Sequence, residues 1–269
     1  MIGLLLVSVG TDLPEIINSV ISSWAGHGDI NVGDSLGSAF TQITLVLGII
    51  ALLVKDFRVN KKEVAVIGVC EVLALILAVF AVEDGYISRI NAFFLVVSWI
   101  IFMLLSRTLT EKDKVREGVC EKRTYHFLMA ILGFAGVAAG AYVVVQSIIV
   151  LSTIFHISEY FISFFAAAIG TSLPELAVDF NAIRKREYNL AIGDIIGSSI
   201  VDASLSIGIG PLLFPSVISG DAAMLTGIYA IFASFIVILM LASRGKVDKK
   251  AGVLFVTVYL FSYVLLVCG

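Results

Sequence analysis

Apolar runs close to the roughly 20 residues that an α-helix needs to cross a hydrocarbon core recur along the whole of this 269-residue chain. Read between charged or turn-forming breaks, they predict nine helices, near residues 2 to 24, 30 to 54, 64 to 82, 87 to 106, 127 to 151, 157 to 183, 190 to 211, 222 to 242 and 251 to 268. A signal peptide supplies one short run at the front, so the recurrence excludes that reading. With 59% hydrophobic and 14% charged residues and a mean hydropathy of +1.04, the chain lies far from a soluble domain, in which about a quarter of residues are charged. The expected fold class is an all-α polytopic membrane protein, and its first partner is the lipid bilayer.

Loop charge then orients the helices, because short cytoplasmic loops retain lysine and arginine. Lys55, Arg58, Lys61 and Lys62 fall in one loop, and Arg107, Lys112, Lys114, Arg116, Lys122 and Arg123 in the next but one. Arg184, Lys185 and Arg186, then Arg244, Lys246, Lys249 and Lys250, continue the alternation. Of 18 basic residues, only Arg89 falls elsewhere. The loops around Gly26, Glu83, His156 and Pro215 are therefore expected outside a cell membrane, with the amino terminus inside and the carboxyl terminus outside. The net charge of -3 adds little, since in a membrane protein the place of a charge matters more than the sum. Cys70, Cys120 and Cys268, like His27, His126 and His156, show neither paired nor metal-type spacing, so neither a zinc site nor a disulfide framework is expected. There is no His-Glu-x-x-His helix and no plausible Cys/His dyad, which disfavours an intramembrane enzyme. No cofactor and no nucleic-acid partner are expected.

Residues 10 to 48 align with 170 to 208 at a constant offset of 160 without a gap, with eleven identities. These are Gly10, Thr11, Leu13, Pro14, Glu15, Gly33, Asp34, Gly37, Ser38, Leu45 and Gly48 with their partners from Gly170 to Gly208. Shared membrane composition produces chance leucine and glycine matches. It does not produce, twice, Gly-Thr-x-Leu-Pro-Glu with an Asp in Gly-Asp-x-x-Gly-Ser 19 residues after the Glu. The chain is thus expected to divide into a first repeat (1–106), a short cytoplasmic linker (107–126) and a second repeat (127–269). By loop charge the helix bearing Glu15 runs outward and the helix bearing Glu175 inward, so the repeats are inverted. Inverted repeats with broken helices recur in secondary transporters, whose substrate sits near the midplane. Fold class alone does not establish function, so the site chemistry has to carry it.

Proline inside a helix donates no amide hydrogen and displaces the carbonyl four residues earlier, which is Gly10 for Pro14 and Gly170 for Pro174. Thr11 and Glu15 are four apart, as are Thr171 and Glu175, and so share a helix face. Hard oxygen donors around two acidic groups suit Ca²⁺ and can suit Na⁺, and two carboxylates neutralise one divalent ion. The second helix of each repeat adds a polar stripe, Asp34, Ser38 and Gln42 in one and Asp194, Ser198 and Asp202 in the other. Gly33 with Gly37, and Gly193 with Gly197, offer small surfaces for close helix approach. A plain proline kink and ordinary small-residue packing are the bland alternatives. Against them stands the cost of ionisable groups at membrane depth, which singles out Glu15, Glu175, Asp34 and Asp194. For Glu71, Glu159 and Asp179 a helix-end position, an internal ion pair or a wet cytoplasmic vestibule is explanation enough, and Asp202 stands between the two readings.

The paired segments resemble the alpha repeats of the cation/calcium exchanger (CaCA) superfamily, most closely its prokaryotic sodium/calcium exchanger-like branch. The resemblance implies an inverted-repeat sodium/calcium exchanger-like fold and an antiporter that moves Ca²⁺ against Na⁺ by alternating access. It implies Glu15 and Glu175 as shared central ligands, with Thr11, Thr171 and Ser172 at positions that supply backbone or hydroxyl oxygens. The expected cation site thus comprises Gly10, Thr11, Asp12, Glu15, Asp34, Gly170, Thr171, Ser172, Glu175 and Asp194. The family pattern has ten helices, five per repeat, and the one preceding the first motif has no equivalent among the nine; its counterpart in the second half is 127 to 151. Asp12 stands where members commonly have Ser, as Ser172 does in the second copy, and either adds a cation ligand or caps a half-helix. Asp34 stands where Asn is common. So many carboxylates keep H⁺ open as the counter-ion, and an H⁺-coupled or K⁺-dependent antiporter is the alternative. A passive cation channel is disfavoured because one internally inverted pair favours alternating access.

Overall fold

The computed structural model of the protein describes residues 9–54, 56–109 and 123–268. The head of the first expected helix (1–8), Lys55 and most of the expected linker (110–122) lie outside the described residues. Helix α1 (Leu13–Trp24) opens with Pro14 in its first turn, where the missing N–H removes no helical hydrogen bond. Helix α2 (Gly28–Thr41) runs through a π-helical turn (Gln42–Val46) into α3 (Leu47–Leu53). Strand β1 (Phe57–Arg58), α4 (Lys61–Val82), β2 (Tyr86–Ile87) and α5 (Arg89–Leu109) follow. The second half begins with α6 (Arg123–Phe155), then α7 (Glu159–Ile162), a π-helical turn (Ser163–Ala167), α8 (Ala168–Thr171) and α9 (Leu173–Arg184). Helix α10 (Tyr188–Val201), a third π-helical turn (Asp202–Ser206), α11 (Ile207–Leu213), β3 (Ser216–Val217), α12 (Gly220–Arg244), β4 (Lys246–Val247) and α13 (Lys249–Cys268) complete it. Among the described residues 7 helical runs are long and apolar enough to cross a bilayer, each at an expected span. The first and last expected spans are represented by α1 and by the 20-residue α13.

The repeat is written into the backbone. Helices α1, α2 and α3 reappear at the offset of 160 as α9, α10 and α11, and the π-helical turn at 42–46 reappears at 202–206. Left-handed turns fall at Gly26 (φ 81°) and at its equivalent, Arg186 (φ 65°). Strand pairing then gives direction. β1 pairs antiparallel with β4, Phe57 opposite Val247, and β2 with β3, Tyr86 opposite Val217. The two small sheets cap opposite ends of α4, which runs from β1 to β2 while α12 runs from β3 to β4. These helices are therefore antiparallel, with Gly68 packed against Ile238 and Gly227 against Val79, and the repeats are inverted. The β1–β4 end gathers Arg58, Lys61, Lys62, Arg244 and Lys246, whereas the β2–β3 end carries Glu83, Asp84 and Asp221.

The α2–α3 and α10–α11 runs form the centre. In the most apolar stretch of α10–α11, 94% is buried, against 17% for α6, which lies at the periphery. Phe40 of α2 stacks on Phe164 and on Tyr259, with ring centroids 5.9 and 5.3 Å apart. Phe80, Phe94, Phe232 and Phe261 point outward with many other large apolar side chains, a belt that suits lipid and no water-exposed surface.

Candidate cation site

Two helix breaks build the site. At Asp12 (φ -77°, ψ 6°) and at Ser172 (φ -81°, ψ 3°) the chain leaves helical geometry for one residue, in the sparsely used bridge region. It resumes at once, with Ile16 N–H donating to Asp12 O at 3.0 Å and Leu176 N–H to Ser172 O at 3.2 Å. The expectation of a freed carbonyl is refined at the second break. Amides there still reach the Ala168 and Gly170 carbonyls, so Gly170 O offers its second lone pair rather than the whole group. Gly10 and Gly170 lie exposed at the edge of the site, Thr11 and Thr171 are half-buried, and Asp12, Glu15, Asp34, Ser172, Glu175 and Asp194 are buried.

The breaks bring the acids together. Glu15 faces Glu175, Asp34 and the Thr171 hydroxyl, and Asp12 faces Glu15, Ser198, Asp194 and Glu175. Asp34 is held from both repeats, by the Asn18 amide on Oδ2 and by Thr171 Oγ1, 3.1 Å from Oδ1. Ser38 Oγ lies 3.2 Å from Thr171 Oγ1. Gln42 Nε2 donates to Asp202 Oδ2 at 3.4 Å, which ties the two equivalent π-helical turns together; such turns are frequent at functional sites. Both carboxylate oxygens of Asp12, of Glu15 and of Glu175 are buried with no hydrogen-bond partner among the described residues. The ion pairs found among those residues, His27 with Glu159 and Arg244 and Lys246 with Asp248, do not involve them. A buried carboxylate with neither donor nor counter-charge is strongly unfavourable, so these oxygens are fitted to a cation or to protons. No three acidic, histidine or cysteine side chains among the described residues converge as a ready-made chelate. A hard cation there would need hydroxyl and carbonyl oxygens to complete its shell, and Thr171, whose hydroxyl reaches Asp34, lies at the same helix break as Gly170 and Ser172.

Nothing in the sequence alone singles out Asn18, although it lies three residues after Glu15 and so on the same face of α1. Asp202 is buried within electrostatic reach of Asp12, Glu15, Glu175 and Asp34, which places it in the cluster. Asp179 is buried too, facing Asp194 and Glu175 rather than a wet vestibule. Glu159 makes the ion pair, at 2.8 Å to His27, whereas Glu71 sits beside Ser234 in the α4–α12 seam, away from the cluster. A cavity of about 470 Å³ runs between α6 and the site, reaching Asn18, Gly170 and Thr171. It lies toward the β2–β3 end, where His27 meets Glu159 and Gly28 packs against Val217.

The sequence profile of the sodium/calcium exchanger protein family matches residues 1–107 and 125–268. The chain is 33% identical over 254 residues to inner membrane protein YrbG of Escherichia coli (strain K12), covering 87% of this chain and 77% of that one. It is 23% identical over 311 residues to sodium/calcium exchanger MaX1 of Methanosarcina acetivorans, with 99% of this chain and 88% of that one covered. A solved structure of the sodium-calcium exchanger NCX_Mj, soaked with Na⁺ and Sr²⁺, matches with a TM-score of 0.73 at 26% identity, over 98% of this chain and 86% of that one. The match thus spans both inverted repeats and the helix breaks between which the carboxylates meet, and the chain belongs to the sodium/calcium exchanger family of membrane transporters.

Proposed function

We propose that the protein is a secondary active antiporter of the cell membrane, exchanging Ca²⁺ for Na⁺ by alternating access at a site between its inverted repeats. One observation carries this reading: Glu15 and Glu175, from opposite repeats, face each other with four buried oxygens that no donor among the described residues satisfies. Together they neutralise one divalent ion. Further ligands in this reading are the carboxylates of Asp12, Asp34 and Asp194, oxygens of Thr11, Thr171 and Ser172, and the carbonyls of Gly10 and Gly170. Loop charge assigns the β2–β3 end to the outside, so the cavity beside α6 supports access from that face. Because each repeat ends its broken helix at the same site, exchanging the two repeats' arrangements would turn the opening to the other face.

The test is radiolabelled Ca²⁺ uptake into proteoliposomes loaded with Na⁺. Uptake should follow the Na⁺ gradient, and Glu15→Gln or Glu175→Gln should abolish it while the purified variant keeps its melting temperature. Full activity in either variant removes that residue from the site. A second reading, H⁺-coupled exchange, is favoured by the surplus of buried carboxylates over the two a divalent ion needs, Asp12, Asp34 and Asp202 among them. Uptake that ignores Na⁺ and follows an imposed pH gradient selects it. Flux that persists without any counter-ion on the opposite side selects a channel.

A further inference from the structure

The two repeats part company one turn beyond the central glutamates. Four residues after Glu15 stands Ser19, and four after Glu175 stands Asp179. Ser19 is engaged: its Oγ accepts the Gly210 amide at 3.1 Å, and Gly210 comes so close that a Cβ there would meet Ser19 O at 2.2 Å. The equivalent of Gly210 in the first repeat is Ile50, a buried core side chain, and among the described residues no matching bond reaches Asp179. Both Asp179 oxygens lack a hydrogen-bond partner among the described residues, at 1% exposure. The side chain is aimed into the acidic cluster, with Asp194, Glu175 and Asp12 as the charges that act on it. Ser198, beside Asp12, is buried as well, with no hydrogen-bond partner to its hydroxyl found among the described residues.

Helix α9 runs from the break at Ser172 toward the β1–β4 end, where Tyr188, just past it, stacks on Phe57 with ring centroids 4.8 Å apart. Asp179 therefore lies about 6 Å beyond Glu175 along the helix axis, on the side that loop charge assigns to the cytoplasm. We infer that Asp179 is a further ligand for the transported cation, a carboxylate that holds a hard cation between the central site and the cytoplasm. The external route has no equivalent, because the matching position is a neutral Ser19 already bonded to Gly210. An ion thus meets an additional anion on one face only, and the exchanger's apparent affinity is asymmetric. This inference rests on the reading of Glu15 and Glu175 as transport ligands.

The experiment is Ca²⁺-dependent exchange in oriented membrane vesicles, titrated from each face in turn, for the wild type, Asp179→Asn and Asp179→Ser, the last installing the first repeat's residue. Half-saturating Ca²⁺ at the cytoplasmic face should rise about tenfold, the effect of losing one charge-assisted contact, with the external value unchanged. Asp179→Glu, which keeps the carboxylate, should lie closer to wild type than Asp179→Asn. An equal change at both faces, or none in variants that melt like the wild type, overturns the assignment. Glu175→Gln in the same assay separates the two ideas. Full exchange in that variant sinks the central reading, whereas a dead Glu175→Gln beside an unaltered Asp179→Asn sinks this inference alone.

Discussion

Gly37 and Gly10 both belong to the repeated motif, yet space constrains only one of them. A Cβ on Gly37 would meet Phe164 O at 2.3 Å and the Ala168 Cβ at 2.8 Å. Those atoms belong to the segment that positions Thr171, whose hydroxyl reaches Asp34, so the backbone cannot yield without disturbing the site. Gly37→Ala should cost about 1–3 kcal/mol of stability, as overpacking does, and lower transport with it. Gly10, with nothing among the described residues within 4 Å of its ideal Cβ, should tolerate alanine within about 1 kcal/mol. Melting of the purified proteins in detergent checks both, and the reverse order would mean that close approach is not what the motif glycines serve. The repeated acids and glycines were legible because their chemistry occurs twice at one spacing. Asn18 was not, since its equivalent is Val178 and a single amide in an apolar helix carries no second copy to flag it.

At the scale of elements, the apolar runs announced the helices and the loop charges their alternation, but two kinds of element were hidden. A π-helical turn inserts one residue into a helix without altering its composition, so the turn at Gln42–Val46 leaves no mark in periodicity. The two-residue strands arise only because loops remote in sequence meet at the membrane faces. One such connection has a measurable consequence. After β4, Asp248 accepts the Ala251 N–H at 2.9 Å and so caps α13, and it pairs with Arg244 at 2.5 Å and Lys246 at 3.0 Å. The Ala251 amide first, then the Lys246 and Arg244 cations, hold its carboxyl down at about 2. A folded-state value below the unfolded one, about 3.9, means stability that is fully present above the unfolded value and lost as pH falls through the folded one. Asp248→Ala should therefore cost about 1 kcal/mol at neutral pH, as loss of a helix cap does. The gap in melting temperature from wild type should hold constant from pH 8 to pH 5, as the linkage requires, and narrow only below about pH 4. A gap that closes near pH 6 would assign the effect to some other group.

For the whole molecule, strand pairing and loop charge point to one topology and can be tested apart. Strand pairing places Arg58 opposite Lys246 at one end and Tyr86 opposite Val217 at the other, whichever way the protein sits in the membrane. Loop charge predicts the direction, with the lysine- and arginine-rich β1–β4 end expected in the cytoplasm. All four side chains are exposed, so each position can carry a single cysteine in a background lacking Cys70, Cys120 and Cys268. A membrane-impermeant maleimide applied to intact cells should label cysteines at 86 and 217. Those at 58 and 246 should react only after permeabilisation. Two positions of one sheet that respond differently would break the inverted pairing itself, and with it the facing of Glu15 and Glu175. A clean exchange of the two pairs would leave the fold intact and reverse the orientation. The cavity beside α6 would then open to the cytoplasm, and Asp179 would lie on the outer route.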